Sequence, residues 1–323
     1  TAVLRQRSPQ WEQLSPVTVP ALLEVQPRLA ANEVFLSFTS LPHQVVVVGC
    51  NRQQFFLHTA FFERDRLEGQ IAQLRQALSR PGGPYQPSAR RLYNTLITPL
   101  QACSEGKQVW LAAQGQLLNL PWPALQDSQG KFLVEHWAGH KLWWGLSQQP
   151  RGPIRVGQAL LVAAPGQSQL EGVIPEVRAI QKQLPGSRTL LAGQATRANL
   201  LRWLPQSDWL HLAAHSKFNR TALQNSYVEL SDGPLPLSQL YRLKLRPHTT
   251  VILSSCQTAQ GQPQPGKDLL SLGSGFRLSG AAQVLATLWP VDDQASVEFF
   301  TSTPNSAKES PSLPPSTPPA ASS

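Results

Sequence analysis

The sequence predicts an α/β protein with a mostly parallel sheet. Short apolar runs typical of strands alternate with segments of helical periodicity from residue 159 to residue 300. This alternation is typical of a parallel sheet whose two faces are covered by helices. Two of the apolar runs end on reactive side chains, as expected where ligands collect at the carboxyl edge of an open sheet. With 323 residues and 41% apolar residues, the chain can form a substantial core.

The half before residue 150 has a more mixed pattern. Runs rich in Val and Phe predict strands, leucines in helical phase predict two helices, and a further strand precedes a tight segment containing Pro and Trp at 117–125. The predicted strands are 33–38, 45–49, 54–59 and 109–113, and the predicted helices are 64–78 and 89–100.

The second half follows the strand–helix alternation. Its predicted strands are 159–164, 189–191, 208–215, 251–253 and 283–288. Its predicted helices are 176–184, 196–204, 237–243, 269–278 and one that begins at 293. Thr196 is expected to cap the second of these helices.

Composition changes mark four regions: an N-terminal extension at 1–30, a first half at 31–148, a second half at 154–300, and a tail at 301–323. The tail is almost entirely Ser, Thr, Pro and Ala, so we expect it to be disordered. The sequence contains no methionine, so we expect the natural start to lie upstream.

Composition also restricts the function classes. The sequence contains no run of about 18 apolar residues, which a membrane-spanning helix would require. Its three cysteines are widely spaced and odd in number, which argues against a disulfide framework. We therefore expect a cytoplasmic protein without membrane association. The net charge of +9 is scattered, so it indicates a solvated basic surface rather than nucleic-acid binding.

A candidate catalytic pair lies at the ends of two predicted strands. His215 ends the run 208–215, and Cys256 follows the run 251–253 and two serines. The two residues are 41 positions apart, which allows one helical crossover, so neighbouring parallel strands would bring the side chains together. An imidazole can take the proton of a thiol and generate the thiolate needed for nucleophilic catalysis. The alternative is an inert buried cysteine and a histidine satisfied in the core.

Other motifs favour structural explanations. His211 and His215 are four residues apart, but Leu212 stands where the zinc-binding helix motif requires glutamate and the segment has a strand pattern, so we predict no metal site. The nucleophilic chemistry of the candidate pair requires no cofactor. Gly273, Gly275 and Gly280 fit close helix packing better than dinucleotide binding. The sequence has no G-x-S-x-G elbow of a serine hydrolase.

Three segments together resemble the CHAT domain, a cysteine peptidase family related to caspases, gingipains and separases. They are H-L-A-A-H-S at 211–216, V-I-L-S-S-C-Q-T-A-Q-G at 251–261 and G-A-A-Q-V-L-A-T-L-W-P-V-D-D at 280–293. Segments 114–125 and 191–201 are also similar to family motifs. The family is common in bacteria, notably cyanobacteria, and often follows tetratricopeptide repeats, so the resemblance implies a cyanobacterial source and a repeat region as partner.

The resemblance implies a caspase-like three-layer sandwich, preceded by a related α/β half without catalytic residues. It also implies a cysteine endopeptidase acting on protein or peptide substrates, with His215 and Cys256 as the catalytic dyad. The backbone N–H groups of Ser216 and Cys256 would form the oxyanion hole. Asp292 and Asp293 would line an acidic substrate pocket, although both could instead cap the following helix.

Two departures from the family favour an alternative function. Ser216 replaces the usual glycine after the histidine, and Ser is less free than Gly to adopt unusual dihedral angles. The chain also turns into the Ser/Pro/Thr tail where the family continues with helices and a strand, so we expect a C-terminally truncated domain. The alternative is a catalytically inactive protein-interaction module.

Overall fold

The computed structural model describes residues 22–80, 82–142, 157–166, 172–219, 222, 225–254, 261–264, 267–288, 295–296 and 298–299. Within this part of the chain, strands gather into two five-stranded sheets and two smaller antiparallel ones. No helix in these ranges is long and apolar enough to cross a membrane.

The first sheet combines an antiparallel meander with a parallel edge. Its strands are β1 (Glu33–Ser40), β2 (Gln44–Asn51), β3 (Phe55–Phe61), β4 (Gln108–Ala113) and β5 (Gly139–Leu142). The order is β3-β2-β1-β4-β5, in which β1, β4 and β5 are parallel. The chain connections explain this arrangement. Short turns join β1 to β2 and β2 to β3, so these neighbours are antiparallel, whereas helices connect β3 to β4 and allow β4 to pair with β1 in parallel.

Helices cover mainly one face of this first sheet. They are α1 (Leu22–Val25), α2 (Arg64–Leu78), α3 (Gln86–Leu96), α4 (Gln101–Ser104) and α5 (Leu133–His136). Leu67, Ile71 and Leu74 of α2 lie at helical spacing and pack against β1 and β2 in one apolar core. On the opposite face, Val25 of α1 packs near Cys50.

The second large sheet is entirely parallel. It is formed by β6 (Ala159–Ala164), β7 (Arg188–Leu191), β8 (Trp209–Ala214), β12 (Thr250–Ser254) and β15 (Gln283–Ala286). The order is β15-β12-β8-β6-β7, and every neighbouring pair is parallel. The predicted α/β fold with a mostly parallel sheet is therefore confirmed.

Helices cover both faces of the second sheet, which gives three layers. The helices are α6 (Val173–Gln183), α7 (Arg197–Trp203), α8 (Leu237–Leu240) and α9 (Leu272–Leu278). Val177 and Ile180 of α6 pack on one face. The other three helices form a larger core on the opposite face, where Phe276 of α9 is fully buried.

Two small antiparallel sheets complete the described part. β9 (Ser216–Lys217), β10 (Tyr227–Leu230) and β11 (Gly233–Pro236) form one, in the order β11-β10-β9. β13 (Gly261–Gln264) and β14 (Lys267–Ser271) form the other. The first extends β8 by way of His215, so it belongs to the surroundings of the candidate site.

Several predicted helices end or begin differently from the expectation; the helix predicted at 176–184, for example, begins three residues earlier, at Val173. The helix predicted at 89–100 ends at Leu96, because Pro99 disfavours α geometry at the residue before it and a 3-10 turn follows. The helix predicted at 269–278 was wrong in its first residues, because 269–271 belong to β14 and Ser271 caps a helix that begins at Leu272. The helix predicted at 237–243 ends at Leu240.

Candidate functional site

The two strands that precede the proposed dyad are direct neighbours. β8 and β12 pair in parallel, with Ala213 opposite Ser254. Both strands therefore end at the same carboxyl edge of the sheet. The third strand in sequence, β8, lies beside the first, β6, whereas the second, β7, lies outside β6. The strand order therefore reverses between β6 and β8, where open α/β sheets form ligand crevices.

His215 directly follows the last residue of β8 and is half-buried. Its carbonyl oxygen accepts a hydrogen bond of 2.8 Å from the backbone N–H of Glu229 on β10. The β9–β10 ladder therefore fixes the backbone of His215 immediately beyond the sheet edge. This anchoring limits the positions that the imidazole can reach.

Ser216 occupies the position where the family usually has glycine. Ser216 is buried and lies in β9 opposite Val228. Its φ is not positive: among the non-glycine residues that the structure describes, only Ala192 has a positive φ. Serine therefore fits this backbone without strain. In an antiparallel ladder, hydrogen-bonded pairs alternate with non-hydrogen-bonded pairs. Because His215 and Glu229 are a hydrogen-bonded pair, Ser216 and Val228 are not, and the N–H of Ser216 points away from β10.

The end of β6 carries a close approach that sequence analysis missed. Gly166 has a φ of +66°, and a Cβ at this position would lie 2.7 Å from the carboxyl carbon of Glu229. Glycine therefore lets the Glu229 side chain lie against the end of the β6 segment, beside the strand that leads to His215. No sequence pattern singles out Glu229, because it occupies an ordinary alternating position in a short strand.

His211 lies within β8 and is 1% exposed. Its Nε2 is 2.6 Å from Oε1 of Glu176 on α6, while Oγ of Ser254 donates to Oε2 of Glu176 at 2.9 Å. The sequence did contain a signal for Glu176, namely a carboxylate on the apolar face formed by Val173, Val177 and Ile180.

Cys256, Asp292 and Asp293 lie outside the described residues. The structure consequently shows His215 and Ser216 at the carboxyl edge but does not bring the complete predicted set together. Within the described ranges, no group of three His, Cys, Asp or Glu side chains could hold a metal ion.

The other two cysteines are unsuited to nucleophilic chemistry. Cys50 is fully buried on β2, and burial raises its thiol pKa to about 11. Burial also raises the pKa of Cys103, whose Sγ donates to the carbonyl of Leu100 at 3.0 Å. Because the thiolate is the nucleophile, both environments suppress reactivity.

Comparison with known families adds independent information. A profile of the CHAT domain matches residues 86–312, about two thirds of the chain. A search of curated proteins finds no match. The matched region includes the whole parallel sheet, both strands that lead to the candidate dyad, and the last two strands of the first sheet.

Proposed function

Because the chain belongs to the CHAT domain family, a group related to caspase-like peptidases, we propose that it is a cysteine endopeptidase. Cys256 is the proposed nucleophile and His215 the proposed base. The observation that supports this proposal is the direct parallel pairing of β8 with β12. Each strand precedes one member of the pair, so a single sheet edge can present both groups.

The register supports a close approach of the dyad. Ala213 pairs with Ser254, and the proposal extends this register by two residues on each strand, which sets position 215 opposite position 256. Side chains alternate between faces along a strand, so positions two apart point to the same face. Opposite positions on neighbouring strands lie about 5 Å apart, which is close enough for proton transfer after small adjustments.

The proposed reaction is acyl transfer to sulfur followed by hydrolysis. His215 takes the proton of the Cys256 thiol, and the thiolate attacks the scissile carbonyl carbon. The C–N bond breaks, the imidazolium donates its proton to the leaving amine, and a thioester remains. Water deprotonated by His215 then attacks the thioester, which releases the carboxylate product and restores the thiol. No cofactor takes part in any step.

The proposed oxyanion hole consists of the backbone N–H groups of Ser216 and Cys256. Two features of Ser216 support this assignment: its N–H points away from β10, and its backbone needs no conformation restricted to glycine. Donors fixed by a ladder need no reorganisation when negative charge develops on the carbonyl oxygen, which makes such donors effective. The serine at this position is therefore compatible with activity.

The nature of the substrate and partner remains part of the proposal. Asp292 and Asp293 would form an acidic pocket for a basic side chain beside the cleaved bond. The substrate is a protein or peptide, and a tetratricopeptide-repeat region is the proposed partner that delivers it. Neither suggestion is required for the dyad chemistry.

The test is cleavage of a complex peptide mixture, with new N-termini identified by mass spectrometry. We expect the purified chain to generate new termini, and we expect Cys256→Ala and His215→Ala to abolish them while Cys103→Ala does not. Undiminished cleavage by Cys256→Ala would refute the nucleophile. A folded wild-type protein that cleaves nothing would instead favour the inactive interaction module.

A further inference from the structure

A buried polar cluster underlies the carboxyl edge of the parallel sheet. It consists of Glu176, His211 and Ser254, which are 3%, 1% and 9% exposed. Each carboxylate oxygen of Glu176 has its own partner, Nε2 of His211 at 2.6 Å and Oγ of Ser254 at 2.9 Å. An ionised carboxylate can accept hydrogen bonds from both groups at once.

The cluster connects three elements that meet at the candidate site. Glu176 lies in the first turn of α6, the helix that follows β6. His211 belongs to β8 and Ser254 is the last residue of β12. One side chain therefore joins both strands that lead to the proposed dyad.

The cluster lies on the face of the sheet to which the dyad would point. Ala213 packs in the apolar core beneath α6, and positions 211, 213 and 215 share one face by strand alternation. Ser254 reaches the same helix through its hydrogen bond to Glu176. Continued alternation would direct position 256 to this face as well.

Stability alone is a weak reason for such a cluster. Removing a carboxylate from water is costly, and apolar replacements of buried polar pairs often leave stability unchanged or increase it. The neighbouring residues on the α6 face, Val173, Val177 and Ile180, show that apolar side chains fit this interface. A function that depends on geometry would explain why a polar cluster is used here.

We propose that Glu176 is a positioning residue for the dyad, an inference that rests on the proposed peptidase function. By holding His211 and Ser254, it fixes the relative register and orientation of the ends of β8 and β12. His215 is four residues after His211, and Cys256 is two residues after Ser254. Loss of this connection would separate or rotate thiol and imidazole without removing either.

The test compares two substitutions of Glu176 with a matched control. Glu176→Gln keeps both hydrogen bonds, because its amide oxygen can accept from His211 and its amide nitrogen can donate to Ser254. Glu176→Met keeps the volume but neither bond. The control is Thr249→Val, because Thr249 is fully buried and its hydroxyl donates to the carbonyl of Ser207 at 3.1 Å, joining the same two strand segments at the amino edge.

Four quantities are measured for each variant: the thermal midpoint, kcat and KM for a peptide identified with the wild-type protein, and the rate of Cys256 alkylation by iodoacetamide. For Glu176→Met we expect kcat and the alkylation rate to fall at least 30-fold while KM changes less than threefold. We expect Glu176→Gln to recover both rates to within about fivefold of wild type. Thr249→Val should keep both rates within twofold.

Each outcome decides between the proposals. If the wild-type protein cleaves peptides and Glu176→Met keeps its rates within threefold, the positioning role fails and the peptidase function stands. If both rates fall equally in Glu176→Met and Thr249→Val, the cluster only stabilises the fold and the positioning role also fails. If the folded wild-type protein neither cleaves peptides nor alkylates rapidly at Cys256, the peptidase function fails and the positioning role is refuted with it.

Discussion

Cys50 should react with iodoacetamide several hundred times more slowly in the folded protein than an ordinary exposed thiol. Its side chain is fully buried, and burial raises the thiol pKa to about 11. At pH 7.5 a thiol with this pKa has about one thiolate per 3,000 molecules. An unperturbed thiol, with a pKa of about 8.5, has about one in ten. The ratio of the two thiolate fractions is about 300, and burial slows the reaction further because it obstructs the reagent.

The assay labels the native protein with light iodoacetamide for increasing times and the unfolded protein with heavy reagent afterwards. Mass spectrometry of the peptides then gives a rate for each cysteine. Cys50 should be slowest and Cys103, which is half-buried with a raised pKa, should also be slow. In 6 M guanidinium both rates should rise to that of a free thiol. A native Cys50 rate within tenfold of the denatured rate would refute the described environment.

Two further predictions concern stability. Thr196→Ala should lower the free energy of unfolding by about 1 kcal/mol, because Thr196 accepts a hydrogen bond from the first turn of α7; urea unfolding should show a much smaller loss for Thr196→Ser, and equal losses would contradict the cap. Burial alone would raise the pKa of Asp127, but hydrogen bonds from the N–H of Lys131 and from His136 outweigh it and hold that pKa below 3.8. Asp127 therefore stabilises the fold above pH 3.8, and this contribution is lost as the pH falls through its folded pKa. Asp127→Asn should lower the thermal midpoint at pH 7 and weaken its dependence on pH below 4; an unchanged pH profile would contradict this role.

Elements with strong periodicity were predictable from the sequence alone. The helix at 64–78 is confirmed as Arg64–Leu78, because Leu67, Ile71 and Leu74 define one apolar face. The adjacency of β8 and β12 is also confirmed, since a single crossover of the predicted length joins parallel neighbours. The Thr196 cap follows from local chemistry and is present.

Features that depend on tertiary register could not be predicted. Leu269 and Leu270 continue the helical pattern of α9, yet they belong to β14, which pairs with β13. The approach of Glu229 to Gly166 joins elements that are 63 residues apart, and nothing local indicates it.

Packing of Gly275 against α8 was expected from its small size and is confirmed by the contact of 3.2 Å that its Cβ would make with Leu240.

The proposed dyad was recognised from residue types at strand ends, and the structure describes one half of it. His215 lies at the carboxyl edge, with its backbone held by β10. The parallel pairing of β8 with β12 supports Cys256 as the proposed partner of His215, because His215 follows β8 and Cys256 follows β12. The position of Glu176 on an apolar helix face is a local signal, but its partners at positions 211 and 254 could not be predicted because they are distant in sequence.

Covalent labelling with an electrophilic peptide tests the dyad most directly. The probe carries a basic recognition residue and a carbon electrophile, and intact mass together with peptide mapping locates the adduct. We predict a single adduct on Cys256 in the wild-type protein and its loss in His215→Ala, which keeps the thiol but lacks the base. Equal labelling of wild type and His215→Ala, or an adduct on Cys50 or Cys103 instead, would contradict the account.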